Sequence, residues 1–126
     1  MAVAGFLLLV TAGCAPLGGS GFRVLDRAAT DDDALPAVFL EQEGTYLKAG
    51  TARFAGEHDG NRIWLSRGVD MDSICILVDY GDTDYDASAC GGLGGGIAVK
   101  ALSGQKYEIV PDEYRDQVVP NIAAVD

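Results

Sequence analysis

Basic residues are scarce in this 126-residue chain: the nine Lys and Arg residues occur singly and face 19 Asp and Glu residues. The formal net charge is −10 at pH 7, with a sequence pI of about 4.3. Without a basic stripe to neutralise phosphates, the chain is not built to hold nucleic acid or to dock electrostatically on anionic lipid. Histidine is scarcer still. His58 is the single one, and it falls in an expected hairpin turn, where an exposed polar residue is ordinary. A hydrolytic triad would need an activated Ser or Thr beside it, and no nucleophile elbow is present. One histidine and two cysteines far apart in sequence do not make a zinc ligand set. With so many acidic residues in a small domain, carboxylate pairs arise by chance, so none is singled out. No catalytic residue is assigned, and no enzyme is expected.

The glycine-rich run 91–96 lacks both GxxxxGK[ST] and GxGxxG spacing and precedes a strand-like segment. It therefore reads as a bulge or tight bend rather than a phosphate loop.

What the chain does have is an apolar run, Ser73-Ile-Cys-Ile-Leu-Val-Asp79, an acidic turn, and then Ala87-Ser-Ala-Cys90. If the flanking segments are antiparallel strands, a connection of this length brings Cys75 and Cys90 opposite each other, within disulfide reach. Ile74, Ile76 and Val78 then share one face and Cys75 and Leu77 the other. Both faces are apolar, which argues for a central strand. Upstream, segments 51–57 and 61–67 flank Asp59-Gly60, a dipeptide suited to the positive φ angles of a primed hairpin turn. Ile63 and Leu65 should face one way, with Arg62, Trp64 and Ser66 facing the other and Trp64 buried as a lid.

Before the hairpin, 22–26 reads as a short strand or extended lead-in. Thr30-Asp-Asp-Asp33 then opens a helix, with Thr30 or Asp33 as cap and Pro36 in the first turn. Leu35, Val38, Phe39 and Gln42 share its face, and it ends near Gly44. Downstream, 97–102 and 105–110 alternate as strands, with Tyr107 and Ile109 on one side. Residues 114–117 form a helical turn, and 122–125 a final edge strand. The expected class is α+β, mainly β: a five- to six-stranded antiparallel meander with one short N-terminal amphipathic helix.

The first 14 residues are uncharged and apolar and end in small residues. The segment falls short of the roughly 20 apolar residues that cross a bilayer as a helix, but it has the length of a signal-peptide core. Thr11-Ala-Gly-Cys14 resembles the lipobox of bacterial lipoproteins. That resemblance implies a leader, 1–13, cut before Cys14, whose thiol carries a diacylglyceryl group. The alternatives are a secretory signal cut elsewhere and a single-span membrane anchor. Lipidation of Cys14 would leave an even pair, Cys75 and Cys90, in an oxidising compartment. A bridge closing a loop of about 15 residues stabilises by roughly 3 kcal/mol. Segment 14–29, small and glycine-rich at its start, is a tether and lead-in, and 30–126 is one disulfide-linked globular domain.

From Leu25 to Pro111 the order of landmarks resembles small exported or lipid-anchored proteins of high-GC Gram-positive bacteria, of uncharacterised function. The landmarks are Leu25-Asp-Arg27, Asp33-Ala-Leu-Pro36, Gly56-Glu-His-Asp-Gly60, the Trp64 strand, Ile74-Cys-Ile-Leu-Val78, Cys90-Gly-Gly92 and Tyr107-Glu-Ile-Val-Pro-Asp112. The resemblance implies an exported, disulfide-bonded, envelope-associated protein and brings no site residues.

Within the acidic turn 79–86, Asp82, Asp84 and Asp86 match the first ligand positions of a calcium loop. Ala87 stands where the sharp bend needs glycine and Leu93 where the bidentate Glu should be, so the turn is not an EF-hand. The expected function is a non-enzymatic lipoprotein at the outer face of the membrane that contacts another envelope protein or a wall component. The alternative is a calcium- or small-ligand-binding domain using 79–86, with help from Asp70 or Asp72. An exposed aromatic group drawn from Tyr80, Tyr85, Trp64 and Tyr114 would favour the first.

Overall fold

A computed structural model describes residues 20–79, 87–92, 96–101 and 104–125. The class is mainly β, and among the described residues the expected run of strands divides into eight, arranged as two four-stranded antiparallel sheets. The first sheet has the order β1-β2-β3-β4: β1 (Arg53–His58), β2 (Asn61–Arg67), β3 (Ser73–Asp79) and β4 (Ala87–Gly92). The second contains β5 (Ala98–Lys100), β6 (Lys106–Ile109), β7 (Gln117–Val119) and β8 (Ile122–Val125), in the order β5-β6-β8-β7.

Alternation of side chains decides how the layers stack. Ile63 and Leu65 of β2 and Ile74, Ile76 and Val78 of β3 face the second sheet, where Tyr107, Ile109, Val119 and Ile122 complete one core. The opposite face carries Trp64, Cys75 and Leu77, which pack with Phe39 and Leu47 in a second core. β3 is therefore covered on both sides and lies between β2 and β4, as its apolar run predicts. The indole of Trp64 meets Phe54 and Phe39 edge-on, at centroid distances of 5.1 and 6.4 Å. Arg62 lies 5.0 Å from its ring centroid while pairing with Asp79 at 3.0 Å.

The hairpin turn is of the primed type, with φ 50° at Asp59 and 82° at Gly60. A bulge interrupts β1 between Phe54 and Gly56. Gly56 has φ 149°, and a Cβ there would stand 2.7 Å from Val119 Cγ1, so only glycine lets β1 approach β7 this closely.

The N-terminal elements differ from expectation. Residues 22–26 hold not a strand but a single helical turn, α1 (Arg23–Asp26), because Val24 and Leu25 are drawn into the first core. The expected helix is broken into a 3-10 turn (Asp31–Asp33) and one turn of α-helix, α2 (Ala37–Leu40). Pro36 is the cause: it is extended at ψ 153°, and a proline disfavours helical geometry in the residue before it. Leu35, Val38 and Phe39 still pack together against the second core. The expected helical turn near 114–117 gives way to β7, whose first residue is Gln117. β8 is not an edge strand but pairs with both β6 and β7.

Candidate functional site

Cys75 and Cys90 are direct partners across β3 and β4, with Cα atoms 4.0 Å apart and an S–S bond of 2.01 Å. Cys75 is fully buried and Cys90 is exposed. The bridge ties down a strand that has little else to hold it beyond its ladder, since β4 reads Ala-Ser-Ala-Cys-Gly-Gly. Alternate residues of such a strand bury only small apolar groups, and the covalent link replaces the missing packing.

Two rigid loops rise beside β4 on the Cys90 face. In the first, the Gln42 carbonyl accepts from the N–H groups of Thr45, Tyr46 and Leu47 at 3.1, 3.0 and 3.1 Å. Leu47 plugs into the second core, and its neighbour Tyr46 is left 63% exposed. In the second, Gly68 N–H donates to the Ser73 carbonyl at 3.0 Å, and Ser73 Oγ donates to the Asp70 carbonyl at 2.8 Å. Here Val69 is exposed and Met71 is 90% exposed. The loops are joined by Val69 N–H donating to the Tyr46 carbonyl at 3.0 Å and Lys48 N–H to the Arg67 carbonyl at 2.9 Å. Tyr46, Val69 and Met71 therefore form an apolar group on a fixed frame, a surface that costs solvation unless something covers it.

Two clefts lie under this group. One, of about 420 Å³, has Tyr46, Met71, Ser73, Cys90 and Gly92 among its walls. The other, of about 340 Å³, is bounded by Gln42, Tyr46, Ser88, Ala89 and Cys90. They share Tyr46 and Cys90 and so run on along β4. Among the described residues, Asp70 is the only charged group that lines them.

No family model, curated protein or solved structure matches this chain. Function must therefore be argued from its own side chains.

Three polar constellations brace the fold. Asn121, fully buried at φ 67°, accepts from Val24 N–H at 3.0 Å through Oδ1. Its Nδ2 donates to the Val110 carbonyl at 3.1 Å and to Asp112 Oδ1 at 2.9 Å. Burial pushes the Asp112 carboxyl up, but the hydrogen bonds from Asn121 and the Arg23 N–H outweigh it, and the net shift is downward.

Asp33 is buried and takes a two-pronged bond from Arg27, at 2.6 and 2.8 Å. It also accepts from the N–H groups of Phe54 and Thr30, each at 2.7 Å. The guanidinium bond, against the penalty of burial, holds the Asp33 carboxyl far below the usual carboxylate range.

His58 is not the exposed turn residue expected. It ends β1 with its side chain 26% exposed and Nδ1 2.8 Å from Tyr107 Oη, which also accepts from Asn61 Nδ2 at 3.0 Å. Burial raises the Tyr107 hydroxyl above its ordinary value, which keeps it neutral. This trio clasps the β1–β2 hairpin to the second sheet. Sequence reasoning missed it because its members lie 46 and 49 positions apart.

Cys14, Asp82, Asp84 and Asp86 lie outside the described residues, as do Tyr80 and Tyr85. Asp70 and Asp72 are exposed, and among the described residues no group of three or more His, Cys, Asp or Glu side chains could hold a metal ion. Trp64 is buried, as its expected place as a lid requires, and Tyr114 is exposed, while Tyr46 is the most open of the described large aromatics. Its signal was local and easily passed over: a tyrosine two positions after Gly44, a residue at φ 87° that forces a tight loop.

Proposed function

We propose that this chain is a non-enzymatic interaction module of the cell envelope, held at the outer face of the membrane through a lipid on Cys14. The observation that carries the interaction reading is the Tyr46, Val69 and Met71 group, apolar, exposed and fixed by backbone hydrogen bonds between two loops. With the loop backbones already fixed, only side-chain rotamers remain to be ordered on binding, which favours recognition over mere solvent contact. The Cys75–Cys90 bridge suits an oxidising exterior, and the leader-like segment 1–14 supplies a route there. The acidic surface, at net charge −10, keeps such a domain soluble and apart from anionic lipid headgroups.

Intact mass of the protein from the membrane fraction, before and after reduction, tests the reading. A species lacking residues 1–13, with a diacylglyceryl group on Cys14 and the mass gain of one disulfide on reduction, supports it. An unprocessed cytosolic product with free thiols at Cys75 and Cys90 refutes it.

A further inference from the structure

We propose that the channel along β4 receives an extended, apolar polypeptide segment carrying a basic residue, supplied by a partner protein. This rests on the interaction reading above and names its site. The two clefts follow β4 from Ser88 to Gly92, about 14 Å at the rise of an extended strand, or room for roughly four to five residues in the same conformation. The floor is smooth. Ser88, Cys90 and Gly92 present small side chains or none to the channel, and a Cβ added at Gly92 would meet nothing within 4 Å. Another backbone can thus lie close to the strand.

The walls are Tyr46 and Met71, an aromatic anchor and an unbranched thioether that adapts to varied side chains. The disulfide keeps the floor in place without bulky side chains, which would fill the channel. Electrostatics choose the occupant. Asp70 is the one charged lining residue among those described, and the chain carries −10 overall. A second copy would bring the same excess negative charge, whereas a basic segment gains attraction and a faster encounter.

The test uses the folded, disulfide-intact protein and a display library of random octapeptides. Clones are selected on the wild type and counter-selected on the double variant Tyr46→Ser, Met71→Ser. Both positions are exposed, so the variant should unfold within a few degrees of the wild type, and a thermal scan checks this. The expected outcome is a set of apolar, Lys- or Arg-containing clones that bind the wild type at least about tenfold more tightly than the double variant. Asp70→Asn should weaken them about threefold, and Val118→Ser, at an exposed apolar position on β7, should leave them unchanged. Amide shifts at Gly91 and Gly92 should move on titration. The proposal is overturned if no clone separates the wild type from the double variant, if the clones are acidic, or if sedimentation finds a wild-type dimer that the double variant lacks. Any of these, with Cys14 lipidated, leaves the envelope reading standing. An unprocessed cytosolic product sinks that reading whatever the library returns.

Discussion

Replacing Asn121 with alanine removes a buried side chain that joins α1, the end of β6 and the turn between β7 and β8. Its Oδ1 satisfies the buried Val24 N–H, which would be stranded at a cost of about 1–3 kcal/mol. Its Nδ2 serves the Val110 carbonyl and Asp112 Oδ1, and each lost bond removes about 0.5–1.5 kcal/mol. Alanine must also hold φ near 67°, which costs it about 1 kcal/mol that asparagine largely avoids. Together these suggest a loss of about 4 kcal/mol from a domain whose total is about 5–15 kcal/mol. Asn121→Gly should recover about 1 kcal/mol of that loss, since glycine accepts the left-handed backbone while still lacking the amide. Asn121→Asp keeps the acceptor for Val24 but sets a second carboxylate against Asp112. Its deficit should be larger at pH 7 than below about pH 4, where protonation removes the repulsion. Urea unfolding followed by fluorescence of Trp64, the only tryptophan and a buried one, measures all three. A loss below about 1 kcal/mol for Asn121→Ala, or no gain for glycine over alanine, would refute the assignment.

Asp33→Asn breaks the two-pronged bond to Arg27 and should cost about 3 kcal/mol at pH 7, the low end for a buried pair because Arg27 is partly exposed. The folded carboxyl lies below its unfolded value of about 4, so its stabilisation is complete above that pH and fades as pH falls further. The gap between variant and wild type should therefore narrow below about pH 4 in urea titrations, and a gap independent of pH would rule the mechanism out. Reducing the Cys75–Cys90 bridge, or substituting both cysteines with alanine, should lower stability by about 3 kcal/mol on loop length alone. Backbone amide exchange should accelerate first in β4; uniform acceleration would argue against the bridge as that strand's local support. For the alternative that Asp82, Asp84 and Asp86 bind calcium, a thermal scan with millimolar calcium and with chelator decides. Ligation must raise the unfolding temperature, and an unchanged midpoint removes that alternative.

Much of the first sheet was legible because its determinants are local. Asp59-Gly60 sets the hairpin, and two-residue alternation sorts Ile63 and Leu65 from Trp64, and Ile74, Ile76 and Val78 from Cys75 and Leu77. The N-terminal helix was overread because Pro36 was placed in its first turn, whereas it is extended, interrupts the run and stands just before α2. The polar braces left no trace in sequence, since a buried asparagine and an exposed one look alike until their partners are known. Tyr46 and Met71 passed unnoticed because each is an isolated apolar residue in a loop, and only the hydrogen bonds between the loops bring them together on one exposed surface.

The amino-acid order alone determined the antiparallel, mainly β class, the hairpin and the pairing of Cys75 with Cys90, because each depends on residues close together in the chain whose alternation dictates a face. Only the tertiary structure decided that the strands part into two sheets, that β8 lies inside its sheet, and that a smooth channel follows β4. The channel is walled by residues as far apart as Gln42 and Gly92, and a contact between distant residues is chosen by the packing of the whole rather than by either stretch of sequence.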